Sequence, residues 1–249
     1  MTMRSQPQNE LTKGNVLFII LLAVALFAAL TYAVTRGERG GVVDITAEKA
    51  ETISAQIIQF TSLVETAMTR LKLSNGCSPN QISFNYDSDA DGNFMDAGDL
   101  YNNTSSPTDL SCHIFHPSGG GIAYIEPADE WLDSTQSAEG MYGEWVFTAA
   151  NTVENIGLDA NADMVVLLPY LNREVCVQIN DKLGVASAPA NPPAEGSNID
   201  MTRYAGTVSS SPSAIWDTSA DGREAACLTA SDTTPASGSY FLYHVLEPR

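Results

Sequence analysis

Residues 44–73 read DITAEKAETISAQIIQFTSLVETAMTRLKL, and this stretch organises the rest of the chain. Its apolar residues recur at steps of three and four, a spacing that places them on one face of an α-helix. They are Ile45, Ile53, Ile57, Phe60, Val64, Met68 and Leu71. Asp44 or Thr46 can cap the start of such a helix, and Asn75-Gly76 ends the pattern. The sequence therefore predicts an amphipathic helix over residues 44–74 with one buried face.

The pattern of residue types changes after this helix. Short apolar and β-branched runs alternate with turn-forming residues, which is typical of strands joined by loops. The runs occupy residues 81–86, 121–125, 144–148, 164–168, 174–179 and 240–246. We expect residues 75–249 to form an antiparallel, β-rich domain.

The four cysteines all lie in this downstream region, at Cys77, Cys112, Cys176 and Cys227. None forms a C-x-x-C pair, so the spacing does not indicate a zinc ribbon or a thioredoxin-type site. Four cysteines allow three pairings; proximity in sequence favours Cys77–Cys112 and Cys176–Cys227 without deciding among them. An even set of cysteines outside any metal-binding motif predicts disulfide bonds and an oxidising compartment.

An uncharged run, VLFIILLAVALFAALTYAV, occupies residues 16–34 upstream of the helix. A helix of nineteen residues spans about 28 Å, close to the roughly 30 Å of a bilayer core. The run is long for a cleaved signal peptide, and it is apolar on every face, unlike most core helices. It predicts a transmembrane helix over residues 15–35, after a leader at 1–14 and before a glycine-rich joint at 36–43. The expected location is the inner membrane, crossed once, with the C-terminal domain periplasmic or extracellular.

The charge of the chain excludes one class of partner. The formal net charge is −18, and fifteen acidic residues but no Lys or Arg lie between Lys72 and Arg173. Such a surface repels phosphate groups, so we expect no nucleic-acid binding. Cations are its natural small ligands.

The most specific local motif is DSDADGNFMDAGD, at residues 87–99. Alternating carboxylates around a glycine turn are the oxygen ligands that Ca²⁺ prefers, and this spacing follows the start of an EF-hand loop. It resembles the calcium loops of dockerin and thrombospondin type 3 repeats. The predicted ligands of a Ca²⁺ ion are Asp87, Asp89, Asp91, Asn93, Asp96 and Asp99. A solvated acidic turn is the alternative.

The sequence offers little support for catalysis. It contains neither G-x-S-x-G nor H-E-x-x-H, and its three histidines are His113, His116 and His244. His244 lies inside the C-terminal apolar run, where a packing role is the usual one. We therefore expect no catalytic residues and no enzymatic activity.

The residues Lys13-Gly14-Asn15, followed by the apolar run, carry a family resemblance. A short basic leader ending in Gly, an apolar helix, an amphipathic helix and a cysteine-bridged β-rich head together resemble type IV pilins and the pseudopilins of type II secretion. The resemblance implies cleavage after Gly14, a mature chain that begins at Asn15, and calcium sites in the head. It implies an α+β fold with an N-terminal transmembrane helix, an amphipathic helix and an antiparallel β-rich, disulfide-bridged head.

The function implied by this resemblance is that of a non-enzymatic envelope protein, a minor subunit of a filament or of a secretion or adhesion apparatus. Its partners would be the membrane and other pilin-like subunits or envelope proteins. Two alternatives come from other classes. One is an unprocessed, membrane-anchored extracytoplasmic binding domain, such as a surface or virion spike. The other, ranked last, is an anchored hydrolase with an acidic cleft.

Overall fold

The computed structural model describes residues 20–24, 26, 46–95, 98–158, 160–185 and 191–249. Residues 45–249 form one compact unit, separate from residues 1–44. In the first unit the described residues, 20–24 and 26, are helical. The transmembrane prediction for residues 15–35 otherwise falls outside the described residues, as do the leader, the joint at 36–43 and the processing residues Gly14 and Asn15.

The long helix α1 spans Ala47–Ser74, within the predicted range. The side chain of Thr46 caps its start by accepting a hydrogen bond from the backbone N–H of Lys49 at 3.4 Å. Glu48 in the first turn and Lys72 in the last turn suit the helix dipole. The buried face repeats every three or four residues and comprises Ala50, Ile53, Ser54, Ile57, Phe60, Thr61, Val64, Ala67, Met68 and Leu71.

Six strands form a single sheet in the order β3-β5-β6-β2-β1-β4. The strands are β1 Val146–Val153, β2 Asp163–Leu171, β3 Ala194–Glu195, β4 Ser213–Ile215, β5 Ala225–Ala230 and β6 Tyr240–Glu247. A second helix, α2, spans Arg173–Leu183, and three short 3₁₀ turns cover Pro79–Gln81, Asp129–Trp131 and Ser134–Gln136. The four long strands pair antiparallel, whereas β3 and β4 join the two edges in parallel.

Both faces of the sheet are covered. In β2, Met164, Val166 and Leu168 belong to a core cluster shared with α1 and α2. The intervening Val165 and Leu167 belong to a second cluster, with Ile199 from a loop and Ile215 from β4. This period of two is the alternation of side chains along a strand, and it explains why β2 is buried at every position.

The expected disulfide bonds are confirmed. Cys77 is bonded to Cys112, joining the end of α1 to the loops beneath it, and Cys176 in α2 is bonded to Cys227 in β5. The side-chain amide of Asn180 supports the second bridge, because it both donates to the carbonyl of Cys227 and accepts from its N–H, each at 2.8 Å.

The predicted fold class is wrong. The part of the chain that the structure describes is dominated by one curved six-stranded sheet whose edge pairings are parallel, so the β-rich part is not wholly antiparallel. The run at 174–179, read as a strand, lies in α2. Val175 and Ile179 fit a two-residue alternation and also a helical four-residue step, so the spacing alone misled the prediction.

The predicted membrane topology and location are also contradicted. Within the described residues, no helix combines the length and the apolar character needed to cross a bilayer. A span needs about 20 consecutive apolar residues. The long helix α1 carries charged residues on its outer face. The expectation of a single-pass inner-membrane protein is therefore not supported.

Candidate metal centre

The aspartate loop brings three carboxylates together. Asp87, Asp89 and Asp99 each offer an oxygen, and these oxygens lie within 4.8 Å of one another. Asp99 is buried, Asp87 is half-buried and Asp89 is exposed. Three carboxylates converging at this distance could hold a metal ion.

The backbone of the loop adopts unusual conformations to achieve this convergence. Asp87 and Ala90 have φ values of 56° and 59°, and Gly92 has φ 85°. Asp, unlike Ala, visits this left-handed region fairly readily, while Gly adopts it without strain. The N–H of Gly92 turns inward and donates to the carboxylate of Asp87 at 3.1 Å. The glycine at the sixth position of the motif thus closes the turn, as the sequence spacing predicts.

Asp99 is held by its own hydrogen bonds. One carboxylate oxygen accepts from the side-chain amide of Asn85 at 2.6 Å, and the other accepts from the backbone N–H of Ser88 at 2.9 Å. These donors fix the position of Asp99 beside Asp87 and offset part of its desolvation. Asn85 was not predicted as part of the site; its place just before the motif was the only available signal.

The other predicted ligands are not part of this triad. The carboxylate of Asp91 accepts from the backbone N–H of Asn93 at 2.7 Å. The side-chain oxygen of Asn93 accepts from the N–H of Met95 at 3.3 Å. Asp96 lies outside the described residues. Of the six predicted ligands, the structure gathers Asp87, Asp89 and Asp99.

A buried histidine lies next to the loop. The ring of Phe94 meets His113 and His116 edge to face, with centroid distances of 6.5 and 4.8 Å. His113 is 1% exposed, and neither ring nitrogen has a hydrogen-bond partner among the described residues. Burial, together with the nearby His116, lowers the pKa of His113 to about 4. His113 is therefore neutral at pH 7.

The third histidine, His244, lines a cavity. His244 of β6 contacts two residues of α1: its Nδ1 lies 2.7 Å from Oγ1 of Thr61, and its Nε2 lies 3.1 Å from Oε2 of Glu65. Burial lowers the pKa of His244, against the opposing influence of Glu65. The sequence predicts only a packing role for His244, because its contacts with Thr61 and Glu65 join residues that are far apart in the chain.

Comparison with known protein families, curated proteins and solved structures finds no match to this chain.

Proposed function

We propose that the protein is a non-enzymatic, pilin-like subunit of a multi-subunit filament or of a secretion or adhesion apparatus. The observation that carries the proposal is the long helix α1, whose buried face packs against α2, β6 and the rest of the core while its other face remains exposed. Two disulfides brace the domain that this helix supports. A helix with one face packed on its own domain and the other face exposed to solvent suits packing between subunits.

The exposed side of α1 contains an uncharged groove that suits such a contact. The groove has a volume of about 330 Å³ and is lined by Gln56, Gln59, Phe60, Leu63, Ile125 and Trp131. Leu63 and Ile125 are 46% and 47% exposed. On a chain with a net charge of −18, like-charged surfaces repel, so acidic subunits approach most readily where acidic side chains are absent. We take this groove as the contact with a neighbouring pilin-like subunit.

Photo-crosslinking in the native host tests this contact. A photoreactive phenylalanine in place of Leu63 should form an adduct with a second copy or with another subunit that carries a basic leader, Gly and an apolar run. The matched control is the same residue at Leu158, which is 66% exposed outside the groove and should yield no such adduct. Equal adducts at both positions, or none at Leu63, would contradict the proposal.

Processing after Gly14 offers a second test. The pilin-like function requires a peptidase to remove Met1–Gly14, so the mature chain should begin at Asn15. Intact mass and N-terminal sequencing of protein from the native host would detect the shortened chain, and Gly14→Leu should prevent the cleavage. Wild-type protein that retains Met1–Gly14 would show that the chain is not a processed pilin-like subunit.

We also propose that the triad of Asp87, Asp89 and Asp99 binds Ca²⁺. Supporting this are the convergence of their oxygens and the hard, all-oxygen donor set, which suits Ca²⁺ better than a soft transition metal. The ion would offset the repulsion among carboxylates in a loop that carries no basic residue. Its role would be to hold the loop in place on the head domain.

A further inference from the structure

A cavity of about 510 Å³ opens between α1, the end of α2 and strands β5 and β6. Its apolar wall is formed by Ile58, Ile156, Leu183 and Leu242. Its polar lining includes Glu65, Arg223, Glu224 and His244. The volume falls within the range of roughly 300–1,000 Å³ that is usual for small-molecule sites. The cavity therefore combines an aliphatic surface with charges of both signs.

The cavity is lined by side chains of opposite charge that are not directly paired with each other among the described residues. Among the described residues, Arg223 forms no ion pair with Glu65 or with Glu224; Glu65 instead contacts the ring of His244, whose pKa is lowered by burial. One guanidinium nitrogen of Arg223 donates to the backbone carbonyl of Leu183 at 3.0 Å, which anchors the side chain at the cavity. A guanidinium has five N–H donors, so this bond leaves others for a ligand. Charges of both signs that line one cavity match a ligand that carries both signs.

His244 holds Glu65 in position. With its proton on Nε2, a neutral imidazole donates to Oε2 of Glu65, and its Nδ1 shares the one hydroxyl proton of Thr61 with the backbone carbonyl of Ile58, which lies 3.1 Å from Oγ1. The second carboxylate oxygen of Glu65 has no hydrogen-bond partner among the described residues. His244 is 7% exposed, so its ring is largely buried where it contacts the carboxylate of Glu65 in the cavity lining.

We propose that this cavity binds a small aliphatic zwitterion, of the α-amino acid class. The ammonium group of the ligand pairs with Glu65, aided by the charge of Glu224, and its carboxylate pairs with Arg223. The aliphatic side chain packs against Ile58, Leu183 and Leu242. Such a ligand meets both charges and the apolar wall at once, which neither a simple amine nor a simple acid does.

Calorimetric titration of the full-length chain with three compounds tests the charge requirement. L-leucine is the probe; 3-methylbutylamine lacks its carboxylate, and 4-methylpentanoate lacks its ammonium group. We expect measurable binding of leucine, and at least tenfold weaker binding of each analogue. Absence of leucine binding, or an analogue that binds as tightly as leucine, would overturn the proposal. This comparison needs no mutation, so it does not depend on the folding of any variant.

Substitutions test which residue pairs with the ammonium group of the ligand and which pairs with its carboxylate. Glu65→Gln and Arg223→Gln should each weaken leucine binding at least tenfold, and Arg223→Gln should leave the affinity for 3-methylbutylamine unchanged. Glu130→Gln and Arg173→Gln remove the same charges from exposed positions elsewhere and should bind leucine as the wild type does. Exposed Glu224→Gln provides a further cavity variant with little risk to folding, and we expect it to weaken leucine binding severalfold. Unchanged leucine affinity in Glu65→Gln and Arg223→Gln would refute the assignment.

Discussion

Glu195 and Trp216 link the two edges of the sheet. Glu195, in the edge strand β3, is fully buried, and its carboxylate accepts a hydrogen bond of 2.6 Å from the backbone N–H of Trp216, which directly follows the opposite edge strand β4. The other carboxylate oxygen accepts from the N–H of Ser197 at 2.9 Å. The sheet thus curves until its edges meet through one acidic side chain.

This link should make stability depend on pH. Burial, with a smaller contribution from nearby Asp217, raises the pKa of Glu195 from 4.5 to about 7, although the backbone N–H donors oppose the shift. Since the folded state holds the proton more tightly than the unfolded state, the contribution of Glu195 is fully present below pH about 4.5. It is lost as pH rises to about 7, by at most about 3 kcal/mol. In Glu195→Gln this loss should be absent.

Urea unfolding of the full-length chain between pH 4.5 and 8 measures the effect. The difference in unfolding free energy between wild type and Glu195→Gln isolates Glu195, because other titrating groups contribute to both. The exposed Glu139→Gln is the control and should track the wild type. Parallel curves for wild type and Glu195→Gln would show that Glu195 is not the titrating group.

Calcium should stabilise the folded chain through the aspartate triad. An ion that binds the folded state alone adds about 2.7 kcal/mol at one hundred times its Kd, so the Tm should rise with Ca²⁺ concentration and fall with chelator. Asp89→Asn should abolish this response, because Asp89 is one of the three converging carboxylates. Asp129→Asn, at an exposed acid elsewhere, should retain it. A Tm that is the same with Ca²⁺ and with chelator would mean that the loop is a solvated acidic turn and does not bind Ca²⁺.

Truncation of the buried face of α1 should be costly. Ile57 is fully buried in the core beneath α1, and replacing such a residue by Ala leaves a cavity. We expect Ile57→Ala to lower the unfolding free energy by about 2–5 kcal/mol. Leu63→Ala, on the exposed face of the same helix, should change it by no more than about 0.5 kcal/mol. Similar losses from the two variants in denaturant titrations would mean that the packing of α1 differs from that described.

Removal of the disulfide between α2 and β5 should also destabilise the domain. Cys176 and Cys227 are 51 residues apart, and the entropy of closing a loop of that length corresponds to about 4 kcal/mol. The double variant Cys176→Ala/Cys227→Ala should therefore unfold at a clearly lower urea concentration. Reducing agent should shift the midpoint of wild type and of this variant, since both retain Cys77–Cys112. A midpoint unchanged by the double substitution would show that the bridge restrains little.

Features that depend on residues close together in the chain could be predicted before the fold was known. The three- and four-residue spacing of Ile53, Ile57, Phe60 and Val64 is sufficient to specify α1, because the helical period acts within a few turns. The D-x-D-x-D-G spacing likewise predicts a turn in which Asp87 and Asp89 converge. Loop lengths between cysteines favoured the observed pairing, although they could not decide it.

Contacts between residues far apart in the chain could not be predicted in this way. His244 contacts Thr61 and Glu65 across 183 and 179 residues, and Glu195 meets Trp216 only because the sheet curves. No local pattern encodes such contacts, because they depend on strand order and register. The same limit explains α2: the alternation of Val175 and Ile179 fits a strand or a helix, and packing of the Cys176 side against β5 selects the helix. Local periodicity sets the elements, whereas burial of both sheet faces sets their arrangement.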